Sequence, residues 1–265
     1  MTTVLFFHAH PDDEAIATAG TMAKLADAGH RVVLVTATRG EHGEVAEGVL
    51  GAGEALWERR VEELAEAARI LGVARSELLG YVDSGMMGTP ENEAPGSFWQ
   101  ADVDEAAGRL AALLREEAAD VLVCYDEHGN YGHPDHIQVH RVGVRAGTMS
   151  GTPKVYEATI NRDHIQVLMS RAAELGMALA DPPPVEPEGN LFGMPASVIT
   201  TTVDVRPFLD AKRRAMAAHA SQISETSFFL AMPPPAFEAA FGTEWYILRD
   251  APCGTVETDL LEGVA

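Results

Sequence analysis

Short apolar runs alternate with longer stretches in which apolar residues recur every three or four positions, and this rhythm holds through most of the chain. Val4, Leu5, Phe6 and Phe7 form a run of strand length. Residues 13–29 follow with Ile16, Ala19, Ala23, Leu25 and Ala28 at roughly helical spacing, closing on Gly29. Residues 31–37 are continuously β-branched and apolar, the composition of a strand covered on both faces in a parallel sheet. A glycine-containing loop at 38–44 leads to an amphipathic helix at 56–71, with Leu56, Val61, Leu64, Ala68 and Leu71 inward and Gly72 as its stop. The pattern then predicts a strand at 78–82, a helix capped by Asp102 and running through Leu114, and a strand at 121–125. It continues with a helix at 133–146, a strand at 154–160 and a helix at 162–179.

There the rhythm breaks. The stretch 181–188 carries Pro182, Pro183, Pro184 and Pro187, which remove backbone donors and exclude helix or central strand, so it reads as a connector or lid. A β-branched run at 198–205, a helix at 207–222, a second rigid proline loop at 232–236 and a short aromatic strand at 244–248 complete the chain, with a tail after Gly254 expected to be mobile. No internal repeat interrupts the alternation. The expected fold class is α/β, with a mainly parallel sheet flanked by helices, one domain over 1–265 and a C-terminal elaboration.

Composition narrows the picture. A chain of 265 residues at 46% hydrophobic content can bury a sizeable core. Its formal charge of −21, with no basic patch, repels phosphate backbones and anionic bilayers, so nucleic acid is not an expected partner. Cys124 and Cys253 form no close-spaced motif, which suits a reducing compartment. The start of the chain lacks the basic residues and apolar core of a secretory signal, and no run approaches the roughly 18 apolar residues of a spanning helix. The expectation is a cytoplasmic protein without a membrane span.

Two strand ends carry the candidate chemistry. The first apolar run leads into His10-Pro11-Asp12-Asp13-Glu14, and the run at 121–125 leads, after a polar loop, into Tyr131-Gly132-His133-Pro134-Asp135-His136. In each, proline suits the first helical position and the acidic residues sit where the helix dipole favours negative charge. A first-row metal with an open coordination position needs about three ligands of the His and carboxylate kind. His133, His136 and His140 share a helix face, while His10 and Asp13 stand across from them, so two histidines and one carboxylate make a triad. Asp12 and Asp13 project differently, so one can bind metal while the other takes a proton from a bound water, whose pKa zinc brings to about 7. Either cluster alone is equally a capped helix start; the pair together carries the metal inference. The same residues fit the triad of non-haem iron oxygenases, but those enzymes sit on β-barrels and this chain alternates strand with helix.

These residues resemble the metal-dependent LmbE-like and GlcNAc-PI de-N-acetylase (PIG-L) family, whose signature is the pair Ala9-His10-Pro11-Asp12-Asp13-Glu14 and His133-Pro134-Asp135-His136. The likeness extends to Thr38-Arg39-Gly40-Glu41, Asp83-Ser84-Gly85-Met86, Tyr131-Gly132 and Ala217-Ala218-His219-Ala220-Ser221-Gln222, and is greatest towards the actinobacterial mycothiol-pathway deacetylase and conjugate amidase. The resemblance implies a Rossmann-like fold and zinc, with ferrous iron as the alternative, held by His10, Asp13 and His136. It implies Asp12 as general base, His133 as general acid or oxyanion partner oriented by Asp135, and Tyr131 as an oxyanion donor. Arg60, Asp83 and Glu44 match substrate-binding positions, while His8, His140 and His219 read as structural or as outer supports of the ligands. The implied reaction is removal of an acetyl or other acyl group from the nitrogen of an amino-sugar small molecule. The alternative is an amidase for a thiol conjugate or natural-product intermediate. Ala15-Ile16-Ala17 offers no polar group where some members contact substrate, which leaves the sugar unspecified. A non-catalytic metal-binding protein is disfavoured because Asp12, Tyr131 and His133 are all present, and the sequence leaves room for a homo-oligomer.

Overall fold

Strand β1 (Thr3–His8) is buried along its whole length, as an unbroken apolar run requires. On one side it pairs in parallel with β2 (Arg31–Thr36), which pairs in turn with β3 (Arg75–Leu78); on the other it pairs in parallel with β4 (Val121–Tyr125), which pairs with β5 (Lys154–Thr159). Two antiparallel strands, β7 (Thr243–Leu248) against β5 and β6 (Thr201–Asp204) outermost, complete the sheet in the order β3-β2-β1-β4-β5-β7-β6. The computed structural model describes residues 1–45, 48–177 and 192–264, so the expected proline-rich connector at 181–188 lies outside the described residues.

Alternation along β1 builds two cores. Val4 and Phe6 face a cluster with Met22, Leu64 and Met216, carried by helices α2 (Ala19–Asp27), α3 (Leu56–Ile70) and α8 (Leu209–Ala218). Leu5 and Phe7 face the other, with Leu110 on α4 (Val103–Glu116) and Val139 on α6 (Pro134–Ser150). Gly143 lets α6 lie close on β4: a Cβ there would meet the Cβ of Cys124 at 2.5 Å. Connections from β1 run left to β2, and the chain returns to place β4 on its right. The strand order therefore reverses between the two strands whose C-terminal ends carry the His and Asp clusters, the position where open α/β sheets form crevices. No helix among the described residues is long and apolar enough to cross a membrane.

Several boundaries differ from the pattern. The third strand is Arg75–Leu78 rather than 78–82, because an edge strand tolerates charge: Arg75 there pairs with Glu77, Glu116 and Glu117. The apolar Leu79 and Tyr81 pack into the second core from the loop that follows. The helix expected over 13–29 is two, α1 (Asp13–Ala17) and α2, broken at Thr18, whose buried hydroxyl bonds to His8 Nε2 at 2.9 Å. Helix α7 (Arg162–Ser170) is shorter than 162–179. The prolines at 234 and 235 open helix α9 (Pro234–Phe241) instead of forming a rigid loop, since the first helical turn needs no N–H donor.

In place of a mobile tail, the described residues beyond Gly254 are tied down. Glu257 accepts from Lys154 Nζ at 2.9 Å and Tyr156 Oη at 2.6 Å, its backbone bridges Thr201, and Leu260 is buried.

The C-terminal part also reaches into the first core. Glu244 on β7 accepts the N–H groups of Gly20 and Thr21 at the start of α2 and the hydroxyl of Tyr246 at 3.1 Å, and its cationic partner is Lys212 Nζ at 2.6 Å, with the Glu244 and Lys212 side chains both buried. Lys212→Met leaves that carboxylate without its cation, and removing one member of a buried pair costs about 3–5 kcal/mol. Urea unfolding is expected to show a loss of that size, and the double variant with Glu244→Gln is expected to recover part of it.

Candidate metal and catalytic site

After β1 the chain turns sharply to start α1, and the turn residue Asp12 has φ 110° and ψ −29°, a conformation that a side-chain-bearing residue rarely adopts. Such a backbone costs about 1–3 kcal/mol and persists only when its surroundings over-determine it. Here they do. The Asp12 N–H donates to Glu14 Oε2 at 3.0 Å, its carbonyl receives the N–H groups of Ala15 and Ile16, and the carbonyl of Pro11 receives Arg60 Nη2 at 2.5 Å. The second cluster is set by Asp126 after β4, whose carboxylate receives the N–H groups of His128 and Asn130 and the hydroxyl of Thr159. This shapes the short helical turn α5 (Gly129–Gly132) that carries Tyr131. His133 then caps α6, its Nδ1 accepting the Asp135 N–H at 3.1 Å.

The two clusters meet around Asp13. Its Oδ2 lies 3.4 Å from His10 Nδ1 and its Oδ1 3.3 Å from His136 Nε2. The other nitrogen of His10 faces Asp135 Oδ2 at 3.1 Å and Asp83 Oδ1 at 3.5 Å. Ligand-capable nitrogens of His10, His133 and His136 all lie within 4.8 Å of one another, as do those atoms of His10, Asp83 and Asp135. The Tyr131 hydroxyl stands 3.3 Å from His136 Nε2, and the rings of Tyr131 and Tyr125 pack against the His136 ring at 4.7 and 4.9 Å.

Burial sets the electrostatics, and partners decide its sign. Burial works to raise the Asp13 carboxyl, but the His136 and His10 imidazoles outweigh it and hold it well below the usual carboxylate range. Burial likewise disfavours a charged His10, yet hydrogen bonds to Asp13, Asp135 and Asp83 raise it well above an ordinary histidine. Asp12 is pushed up to about 6, chiefly by burial, against the pull of Arg60. His133 is brought down to about 3 by burial and by the neighbouring His10 and His136.

This donor set fits a divalent cation. Two imidazole nitrogens face opposite oxygens of one half-buried carboxylate, a third imidazole adjoins them, and a further carboxylate takes the outward N–H of His10. Carboxylate support of that kind fixes the tautomer and ring orientation of metal-ligating histidines.

The structure thus brings His10, Asp12, Asp13, Tyr131, His133, Asp135 and His136 together, but not every expected partnership holds. The Asp135 carboxylate faces His10 and receives the N–H and hydroxyl of Ser84; only its backbone N–H meets His133. Arg60 is buried, spending its guanidinium on the carbonyls of Gly40 and Pro11 and on Asp12 Oδ2 at 3.3 Å. Asp83 joins the cluster through His10 and accepts from the His42 and Gly85 N–H groups. Glu44 is exposed and makes no hydrogen bond or ion pair to the cluster among the described residues.

His140 turns away to the Tyr125 carbonyl, and His8 joins the Tyr125 hydroxyl at 2.7 Å to Thr18. Sequence reasoning missed Ser84 and Tyr125. Ser84 sits inside a stretch already singled out for its aspartate, whereas Tyr125 read only as part of an apolar strand.

A family model described as GlcNAc-PI de-N-acetylase matches residues 5–147. The chain is 46% identical to a 1D-myo-inositol 2-acetamido-2-deoxy-alpha-D-glucopyranoside deacetylase of Acidothermus cellulolyticus, over 99% of this chain and 95% of the relative. It is 43% identical to the protein of the same name from Streptomyces avermitilis, over 99% of this chain and 97% of the relative. Among solved structures, the N,N'-diacetylchitobiose deacetylase of Pyrococcus horikoshii shares the fold with a TM-score of 0.55 at 22% identity, over 89% of this chain and 73% of that one.

Loss of an outer support typically weakens a metal site about 10–100-fold. Asp135→Asn, which removes the carboxylate on His10, is expected to weaken zinc binding by that factor in a chelator competition, whereas Asp12→Ala is expected to leave affinity nearly unchanged.

Proposed function

The chain belongs to the GlcNAc-PI de-N-acetylase family, and from that premise we propose that it hydrolyses the acetamido group of an N-acetylglucosamine joined to inositol, releasing acetate and the free amino sugar. What supports this reading most is a metal-fitting His10, Asp13 and His136 set flanked by Asp12, Tyr131 and His133, in a chain similar over nearly its full length to deacetylases of that name.

Zinc is the metal we assign: His10, Asp13 and His136 would hold it, and it would supply a Lewis acid and bring the pKa of a bound water to about 7. Asp12, next to Asp13 but directed at Arg60 rather than at either ligand histidine, takes the proton of the attacking water. Attack converts the acyl carbonyl to a tetrahedral oxyanion. Tyr131 donates its hydroxyl to that oxygen. His133 donates from Nε2, because its Nδ1 already accepts a backbone N–H and so cannot carry the proton of the neutral ring. With His133 neutral in this geometry, the proton passed to the departing amine is the one Asp12 took. Collapse breaks the C–N bond, leaving acetate and the amine.

Arg60 and Asp83 shape the turn and the cluster before they meet a sugar, and the exposed carboxylate of Glu44 is left free for sugar hydroxyls.

The test is release of primary amine from N-acetylglucosaminyl-inositol, followed with an amine-reactive fluorophore on metal-stripped protein with and without zinc. Zinc-dependent release is expected, and no release with zinc demonstrably bound would remove the substrate assignment. Loss of a positioned general base costs about 10²–10⁴-fold, so Asp12→Ala is expected to lower kcat within that range at unchanged metal content; full activity in that variant would overturn the base assignment.

A further inference from the structure

The peptide unit between Pro11 and Asp12 is gripped at both ends by buried side chains. Its carbonyl receives Arg60 Nη2 at 2.5 Å, and its N–H donates to Glu14 Oε2 at 3.0 Å. The orientation of this plane fixes φ of Asp12 at 110°, and rotating it towards the ordinary negative range would relieve the strain and swing the Asp12 side chain away. Glu14 is 0% exposed, and its second oxygen receives His219 Nε2 at 2.5 Å from a side chain that is also 0% exposed. His219 stands at the end of α8, 205 residues further along the chain. The segment is anchored beside it, where Ser221 gives both its N–H and its hydroxyl to Glu63 on α3, the helix that also carries Arg60.

We infer that Glu14 and His219 are a positioning pair that holds the Pro11–Asp12 peptide plane and thereby aims the general base, an inference that rests on the reading of Asp12 as that base. Neither side chain needs to touch substrate for this. Glu14 alone cannot serve, because a carboxylate buried without a partner turns towards water or takes a proton. The His219 N–H supplies the missing partner and fixes which oxygen faces Asp12. Arg60 grips the opposite end of the same plane, so the base is set from two sides, by α3 and by the end of α8.

A mutant cycle in the metal-loaded enzyme tests this. A misplacement of about 1 Å in a catalytic group costs up to 10²-fold, so Glu14→Ala and His219→Leu are each expected to lower kcat by about 10–100-fold, with KM and metal content little changed. His219→Gln keeps an N–H donor and is expected to stay within a few-fold of the parent, which separates positioning from bulk if His219→Leu folds poorly. In the Asp12→Ala background neither substitution is expected to lower the residual rate further, since there is no base left to aim. Equal proportional losses with and without Asp12, or a rise in KM at unchanged kcat, would overturn the inference while leaving the base assignment standing. A fully active Asp12→Ala would overturn the base assignment itself.

Discussion

Charge taken out of water at the C-terminal rim of a parallel sheet is the constraint to which this architecture answers. Asp83, Asp135, His10, His133 and His136 are nearly inaccessible, and Asp12 and Asp13 are only partly open. Each ionisable group in such a place needs a partner with good geometry or it costs several kcal/mol. The partners come from separate elements. The loop after β3 sends Ser84 to Asp135. Helix α3 sends Arg60 to Asp12, and the end of α8 sends His219 to Glu14. The loop after β2 closes the rim, where Glu41 accepts the N–H of Asp83 and Asp83 in turn accepts the N–H of His42. Solvation of the cluster and folding of its surroundings are therefore one problem.

The second half of the chain belongs to that solution. The family model ends at residue 147, yet the start of α2 is capped by Glu244 on β7, and the turn that bears Asp12 is held from α8. The strands that complete the sheet are antiparallel additions beyond β5, and one of them, β7, sends the side chains of Glu244 and Tyr246 to the start of α2. Length outside the signature motifs is thus committed to the motifs' conformation.

What the sequence made legible follows from the range of the forces involved. Interior strands β1, β2 and β4 announced themselves because a strand covered on both faces must be apolar throughout. Strand β3 did not, since an edge position lets Arg75 and Glu77 face water and one another. The break at Thr18 depends on a hydrogen bond to His8 that only the folded chain creates, and helical periodicity runs through it unmarked. Prolines 234 and 235 suit a rigid loop and a first helical turn equally well. At the site, the motifs revealed which residues gather but not how their side chains turn. That Asp135 serves His10 rather than His133, and Arg60 serves Asp12 before any sugar, is decided by rotamers and by contacts spanning many tens of residues.

The manner in which the C-terminal segment is fastened has a consequence for the molecule's behaviour among its own copies. Strand β6 ends the sheet, and an outer strand offers unpaired N–H and C=O groups to any extended chain that approaches. Residue 257 already occupies part of that margin: the N–H of Thr202 donates to the Glu257 carbonyl and the Glu257 N–H donates to Thr200, while its side chain is locked by Lys154 and Tyr156. The opposite margin, β3, is short and studded with charge. One border of the sheet is thereby partly covered and the other carries charge, and both features disfavour the pairing of copies through an edge strand.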